Sequence, residues 1–402
     1  MDTVEVMAAS QEHIFDTYAR FPVVFTHGKG TRLWDLDGKE YLDFLAGIAV
    51  CNLGHCHPDL NNILIQQAES LIHVSNLFYT VPQVDLAREL TQLSFADKVF
   101  FANSGAEANE AAIKLARKYS RERRGPGRFH IICMKNSFHG RTLATLSATG
   151  QHKVHSGFDP LVEGFSFVEF DSIGAVEAAI TKQTCAVMVE PIQAEGGIRL
   201  PSSGYLAELK ELCHQRDLLL IFDEVQVGMG RTGTLFGYEQ DGVSPDIMTL
   251  AKALGNGLPV GAMMATDAAA GAFTPGSHAS TFGGTPLVAA VALRTLEIIS
   301  QPVFLRRVQR LGAYLYASLQ ALREQHSLIR EVRGRGLLLG MELSIPGQEI
   351  VRRCLQQGIV INCVQENVLR FAPPLTIETY EVDRLIEVLG GVLDEISRET
   401  AA

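Results

Sequence analysis

Between about residue 95 and residue 265, short apolar runs alternate with longer stretches of helical periodicity. That alternation limits the fold more than any other feature of the 402-residue chain. The runs lie at residues 99–102, 131–134, 166–170, 186–189, 218–222, 247–250 and 260–265. Several are apolar for four or five positions without interruption, as strands covered on both faces must be. Amphipathic stretches such as 108–119 and 204–216 separate them. This pattern predicts an α/β fold, a mostly parallel sheet with helices on both faces. On such a sheet a ligand binds outside the carboxyl ends of the strands, so the polar residues just after each run are the ones to inspect.

The two ends read differently. Residues 25–50 have the pattern of a hairpin turning at Asp37-Gly38. After a long helical stretch, 286–322, short strands return at 337–343, 359–362 and 368–371, and a last helix spans about 379–396. A smaller α+β domain drawn from both termini is expected: an N-terminal segment (1–55) joining it, a large domain (56–295), and a C-terminal part (296–402).

Charge and composition exclude several function classes. With 35 Lys+Arg against 45 Asp+Glu, the net charge is −10, and the only basic run is Arg121–Arg124. A general nucleic-acid binder needs many phosphate contacts, so no nucleic-acid partner is expected. At 47% hydrophobic residues the chain can build a large core and is not of disordered composition. No apolar stretch reaches the ~18 residues of a membrane span. The start, MDTVEVMAAS, has neither the basic nor the apolar region of a signal peptide. The seven cysteines, an odd number sitting mostly in apolar runs, fit reduced thiols, and a cytoplasmic location is expected.

Five segments could carry chemistry. Ser104 and Glu107, after the run VFFA, have capping-box spacing; they are either a helix cap alone or the mouth of a helix that receives a phosphate. Asp223 ends a buried run, where it is either a solvated loop carboxylate or a ligand group. Lys252 leaves another apolar run into the glycine-rich ALGNGLPVGA, the setting of a lysine with a depressed pKa, although most lysines are simply solvated. Gly228 to Gly233 form a G-x-G-x-x-G, but residues 223–227 separate it from the strand and no amphipathic helix follows. It is therefore read as loop punctuation and not as a nucleotide fingerprint. Cys51, His55, Cys56 and His57 lack a second pair at zinc-site spacing, so no metal is expected. H-E-x-x-H, P-loop and G-x-S-x-G motifs are absent.

Taken together, the segments GKGTRLWDLDGKEYLDFLAGIAVCNLGHCHP, NSGAEANEAAIKLAR, FHGRT, VEPIQAEGG, FDEVQVGMGRTG, AKALGNGLPVGA, STFGGTP and LRFAPPL resemble the class III (subgroup II) aminotransferases, pyridoxal 5'-phosphate enzymes of fold type I. The likeness runs from about Tyr18 to the C-terminal helix. It implies that Lys252 carries the cofactor covalently and that Asp223 faces the pyridine nitrogen. Gln226 would donate to the ring hydroxyl, Phe138 and Val225 would pack the ring faces, and Ser104, Gly105 and Ala106 would hold the phosphate. Thr281 would reach the phosphate of a neighbouring subunit, which implies a homodimer with a shared site. Arg141 and Arg370 resemble clamps for substrate carboxylates, with Ser280 also on the substrate side; Glu195 resembles a switch that covers Arg370 when the substrate brings no carboxylate there. Ala194, Ala279 and Thr285 replace residues common in the family, which bears on pocket shape more than on cofactor chemistry. The expected reaction is transfer of an ω-amino group to 2-oxoglutarate, with N2-acetylornithine as donor and ornithine, succinylornithine, succinyldiaminopimelate and 4-aminobutyrate as alternatives.

Overall fold

The computed structural model describes residues 1–401, with side chains to Glu399. An opening helix, Thr3–His13, precedes three short strands, β1 (Phe25–Lys29), β2 (Arg32–Asp35) and β3 (Glu40–Asp43). Where the sequence predicts one hairpin, the structure has a three-stranded antiparallel meander. Gly30, at φ 60°, permits a second tight turn before the one at Asp37-Gly38.

All seven apolar runs become strands of one sheet: β4 (Lys98–Ala102), β5 (His130–Met134), β6 (Phe165–Val168), β7 (Thr184–Val189), β8 (Leu219–Asp223), β9 (Ile247–Leu250) and β10 (Gly261–Ala265). Their order is β4-β10-β9-β8-β7-β5-β6, and only β10 runs antiparallel to its neighbours. The short connection from β9 to β10 explains that exception, because a parallel return needs a crossover of a dozen residues or more. Helix Gly105–Arg124 lays an alanine-rich face (Ala108, Ala111, Ala112, Ala116) on one side of the sheet, while Tyr205–Gln215 and Pro286–Ile299 cover the other. Burial on both sides leaves every residue of β7 and β8 buried, each large apolar side chain contributing ~1.5–3 kcal/mol.

The helical stretch after residue 286 is two helices, Pro286–Ile299 and Pro302–Gln325, bent by 69°. Pro302 cannot donate to the preceding turn but suits the first turn of a new helix. Beyond it come β11 (Ile329–Arg335), β12 (Leu338–Leu343), β13 (Ile359–Val360), β14 (Asn362–Val364), β15 (Val368–Phe371) and a final helix, Thr379–Ala401. The sequence hides β11, an edge strand whose Arg330, Glu331 and Arg333 break the apolar pattern. One four-stranded sheet, β1-β2-β3-β13, joins the N-terminal strands to the C-terminal part; the other is β11-β12-β15-β14. Leu42 and Phe44 share a core with Leu311, Leu339, Phe371 and Leu389. Among the described residues no single helix is long and apolar enough to cross a membrane.

Candidate active site

The carboxyl ends of β4, β5, β7, β8 and β9 meet at one edge of the large sheet, and the residues that follow them line a cavity of about 460 Å³. Ser104, Gly105 and Ala106 come after β4, Phe138, His139 and Arg141 after β5, and Glu190 after β7. Val225 and Gln226 follow Asp223 at the end of β8, and Lys252 follows β9.

Asp223 is 4% exposed, and both carboxylate oxygens are committed. Asn109 Nδ2 donates to Oδ2 at 2.7 Å, His139 Nδ1 lies 2.8 Å from the same oxygen, and the Val225 N–H donates to Oδ1 at 3.0 Å. Asn109 is itself held, accepting from Thr249 Oγ1 at 2.7 Å and donating to the His139 carbonyl at 2.7 Å. Sequence reasoning missed Asn109, His139 and Thr249. The available signal was Asn109, a polar residue on the apolar stripe of its helix, three and four positions before Ala112 and Ile113. The Glu190 carboxyl, buried nearby, is pushed well above its usual range by burial and by the Asp223 charge, and it accepts from the Phe138 N–H at 3.1 Å.

Ser104 is the N-cap of helix Gly105–Arg124, its Oγ accepting from the Glu107 N–H at 3.2 Å. Only half of the expected capping box forms, because the Glu107 carboxylate takes the Asn103 N–H instead of that of Ser104. A Cβ on Gly105 would stand 2.8 Å from Val225 Cγ1, so this position has no room for a side chain. Lys252 occupies the left-handed region at φ 46°, a conformation costing ~1–3 kcal/mol for a non-glycine residue and kept where the surroundings enforce it. Desolvation pushes its amine down to about 8, with Arg370 adding to the effect and Glu195 and Asp223 opposing it.

A second cavity of about 500 Å³ shares Phe138 and Arg141 with the first and reaches Glu195 and Arg370. Arg370, on β15, is 1% exposed and ion-paired with Glu195. Its Nε donates to Asn362 Oδ1 at 3.1 Å and its Nη1 to Gln226 Oε1 at 2.9 Å. Gln226 returns a bond from Nε2 to Glu195 at 3.1 Å, so Glu195, Arg370 and Gln226 form one closed unit. Burial pushes the Glu195 carboxyl up, but the Arg370 guanidinium and the Lys252 ammonium outweigh it and hold it down at about 2. Arg141 lies over the Phe138 ring, 5.6 Å from its centroid, and makes no ion pair among the described residues.

The aminotransferase class-III family model matches residues 15–393. The chain belongs to the class III aminotransferases. An acetylornithine aminotransferase of Caldanaerobacter subterraneus subsp. tengcongensis is 50% identical to this chain over 387 residues, covering 96% of it and 98% of the relative. Among solved structures, the N-acetylornithine aminotransferase of Stenotrophomonas maltophilia K279a superposes with a TM-score of 0.85 at 39% identity, covering 98% of this chain and all of that one. The ornithine aminotransferase of Toxoplasma gondii, whose structure has pyridoxal phosphate at partial occupancy in the active site, gives 0.96 at 35% identity, covering 100% of this chain and 96% of that one.

In this class III aminotransferase two of the expected residues stand apart from the cavity around Lys252. Ser280 accepts from Asn103 Nδ2 at 3.1 Å and from the Gly283 N–H at 3.0 Å, so its hydroxyl braces a loop. Thr281 beside it is exposed and lines other grooves. The G-x-G-x-x-G segment holds an interior cation: Arg231 is fully buried and donates to the carbonyls of Leu337 and Pro373 and to Asn52. His55, from the Cys/His cluster, pairs with Asp43 at 2.8 Å.

Proposed function

We propose that this aminotransferase moves the terminal amino group of N2-acetylornithine to 2-oxoglutarate, giving N-acetylglutamate 5-semialdehyde and glutamate, as a cytoplasmic homodimer of arginine biosynthesis that uses pyridoxal 5'-phosphate. The observation that carries this reading is the pair of guanidiniums in two adjoining cavities that share Phe138 and Arg141, the first holding Lys252; Arg141 has no ion pair among the described residues and Arg370 is covered by Glu195. A donor with one carboxylate is met by Arg141 alone. An acceptor with two carboxylates needs Arg370 as well, and Glu195 must swing aside for it. Bidentate guanidinium pairing gives each clamp its geometry. Ile48, Phe138 and Val154, lining the cavity beside Arg141, suit an acetamido group better than a free α-ammonium.

The residues fit the cofactor. The N-terminus of helix Gly105–Arg124 offers free backbone N–H groups to a phosphate, and the absent Gly105 side chain lets Val225 pack against that end of the helix. The buried His139 Nε2 has no partner of its own in the cavity wall. Bound there, pyridoxal phosphate supplies an electron sink for the carbon that loses its proton. Asp223, aimed by Asn109, His139 and the Val225 N–H, keeps the pyridine nitrogen protonated. An amine with a pKa of about 8 suits Lys252 to take a proton from the substrate carbon and return it, as general base and then general acid.

A broad apolar face supports the dimer. Leu77, Phe78, Tyr79, Val81 and Phe282 are each more than half exposed, and Asn76 bonds the Ser280 carbonyl at 3.0 Å, so Thr281 sits on that face. Patches of this kind mark association surfaces.

The test is the visible absorption of the purified holoprotein before and after N-acetylornithine is added without keto acid. Loss of the cofactor's visible band, restored by 2-oxoglutarate, is expected. Conversion by ornithine alone would move the donor to the substrate of the structurally similar Toxoplasma enzyme. A protein that takes up no cofactor would overturn the reading.

A further inference from the structure

The loop that carries Glu195 is rooted in one core and fastened to the other. It leaves β7 at Glu190 and closes on itself through paired backbone bonds between Gln193 and Arg199, both 3.0 Å, with Glu195 near its tip. At its root Gln193 Nε2 donates to the Lys135 carbonyl after β5 at 2.9 Å, and its tip is tied to the smaller core. Gln365 Nε2, from the turn between β14 and β15, donates to the Glu195 carbonyl at 2.8 Å. Arg333, on β11, donates to the Gly197 carbonyl twice, from Nε at 3.0 Å and Nη2 at 2.8 Å. Gly197 is at φ 100°, a conformation open to glycine, and the Arg333 and Gln365 side chains pass close to its Cα. Ile198 packs over Gly340 of β12, where a Cβ would approach to 3.0 Å, and Gly340 is the register partner of Arg370.

Arg333 is itself anchored. Its Nη1 bonds Glu331 and Glu342, two carboxylates that face each other across the β11–β12 pair and would repel without a cation between them. The side chain is 12% exposed, so its fork is held from both sides. The backbone around Glu195 is thus tied to the sheet β11-β12-β15-β14 that bears Arg370, while the root of its loop and its carboxylate keep contacts with residues after β5 and β8 of the large sheet.

We propose that Arg333 and Gln365 are positioning residues that lock the Glu195 backbone to the sheet bearing Arg370, so that the switch works by rotation of the Glu195 side chain alone and its closed state is set by these two ties. The proposal rests on the function given above. Without the ties Glu195 covers Arg370 less well. The donor, which needs Arg370 covered, then loses ground, while a substrate whose α-carboxylate takes Arg370 gains.

The experiment compares two half-reactions on the holoenzyme by single-turnover absorption: N-acetylornithine in one, glutamate in the other, each without keto acid. Arg333→Lys keeps a cation between Glu331 and Glu342 but loses the two-pronged grip on Gly197. It is expected to lower the ratio of kcat/KM for N-acetylornithine to that for glutamate by about tenfold, the effect of loosening a hydrogen-bonded charge pair. Gln365→Leu, at a half-buried turn, is expected to move the ratio the same way and carries the test if Arg333→Lys does not fold. Equal losses in both half-reactions, with the ratio unchanged, would mean a merely structural role and overturn the proposal. Wild-type protein inert to both substrates would instead overturn the proposed function, and this inference with it.

Discussion

At one end of the cavity Asp223 is gripped by Asn109, His139 and the Val225 N–H, all carried by elements packed on the large sheet. At the other end Glu195, Gln226 and Arg370 hold one another, and Arg370 comes from a different core. The first arrangement holds a carboxylate with donors fixed in place by the elements packed on the large sheet, so it has one state. The second satisfies a cation with a carboxylate that another carboxylate can replace, so it has two. A site that must present the same cofactor to two different substrates needs this division. On the proposed function, the pyridine end would stay fixed while the carboxylate end exchanges partners.

Breaking the fixed end should have the largest effects. Lys252→Ala is expected to abolish turnover, by roughly 10⁴-fold or more, since it removes the proton-transfer group at the reacting carbon; survival of full activity in a steady-state assay would displace Lys252 from its role. Asp223→Asn should lower kcat/KM by about 10³-fold, because opposite charges ~4 Å apart attract by about 4 kcal/mol at an effective dielectric of 20. The same variant should bind cofactor with a changed visible spectrum.

The pH dependence tests the fixed end more gently. With the Lys252 amine pushed down to about 8, its neutral, reactive form is scarce below that pH and saturates above it. Covalent uptake of cofactor by the stripped protein should therefore rise about fiftyfold from pH 6 to pH 8, about twofold more by pH 9, and then level. A profile still climbing toward pH 10 would mean an ordinary lysine.

At the exchangeable end the effects should be smaller and should split between substrates. Arg141→Ala is expected to raise KM for both N-acetylornithine and 2-oxoglutarate by about 10–100-fold, the worth of a hydrogen-bonded charge pair, with cofactor content unchanged; equal loss of cofactor would point to a structural role. Glu195→Gln should keep the bond to Arg370 but remove the competing charge, lowering KM for 2-oxoglutarate several-fold while weakening the donor half-reaction. Identical changes in both directions would collapse the distinction between the two ends.

Much of the fold was legible in the residues because burial leaves a local trace. An uninterrupted run such as Ala186 to Val189 has the pattern of a strand covered on both faces, and all seven runs joined one sheet. Asp223 and Lys252 could be singled out because strand ends face ligands whatever the rest of the fold does. The partners were not legible. Asn109 and His139 meet Asp223 across 114 and 84 residues, Thr249 meets Asn109 across 140, and nothing in their own neighbourhoods says which acceptor they will find. The same holds for Arg333, one more charge along the chain, and for Ser280, whose hydroxyl is spent on Asn103 and Gly283. Periodicity records which faces are dry, a property of neighbouring residues. A hydrogen-bond partner is chosen by whatever distant segment the packing of whole sheets brings within 3 Å, and that choice is made only when the chain has folded.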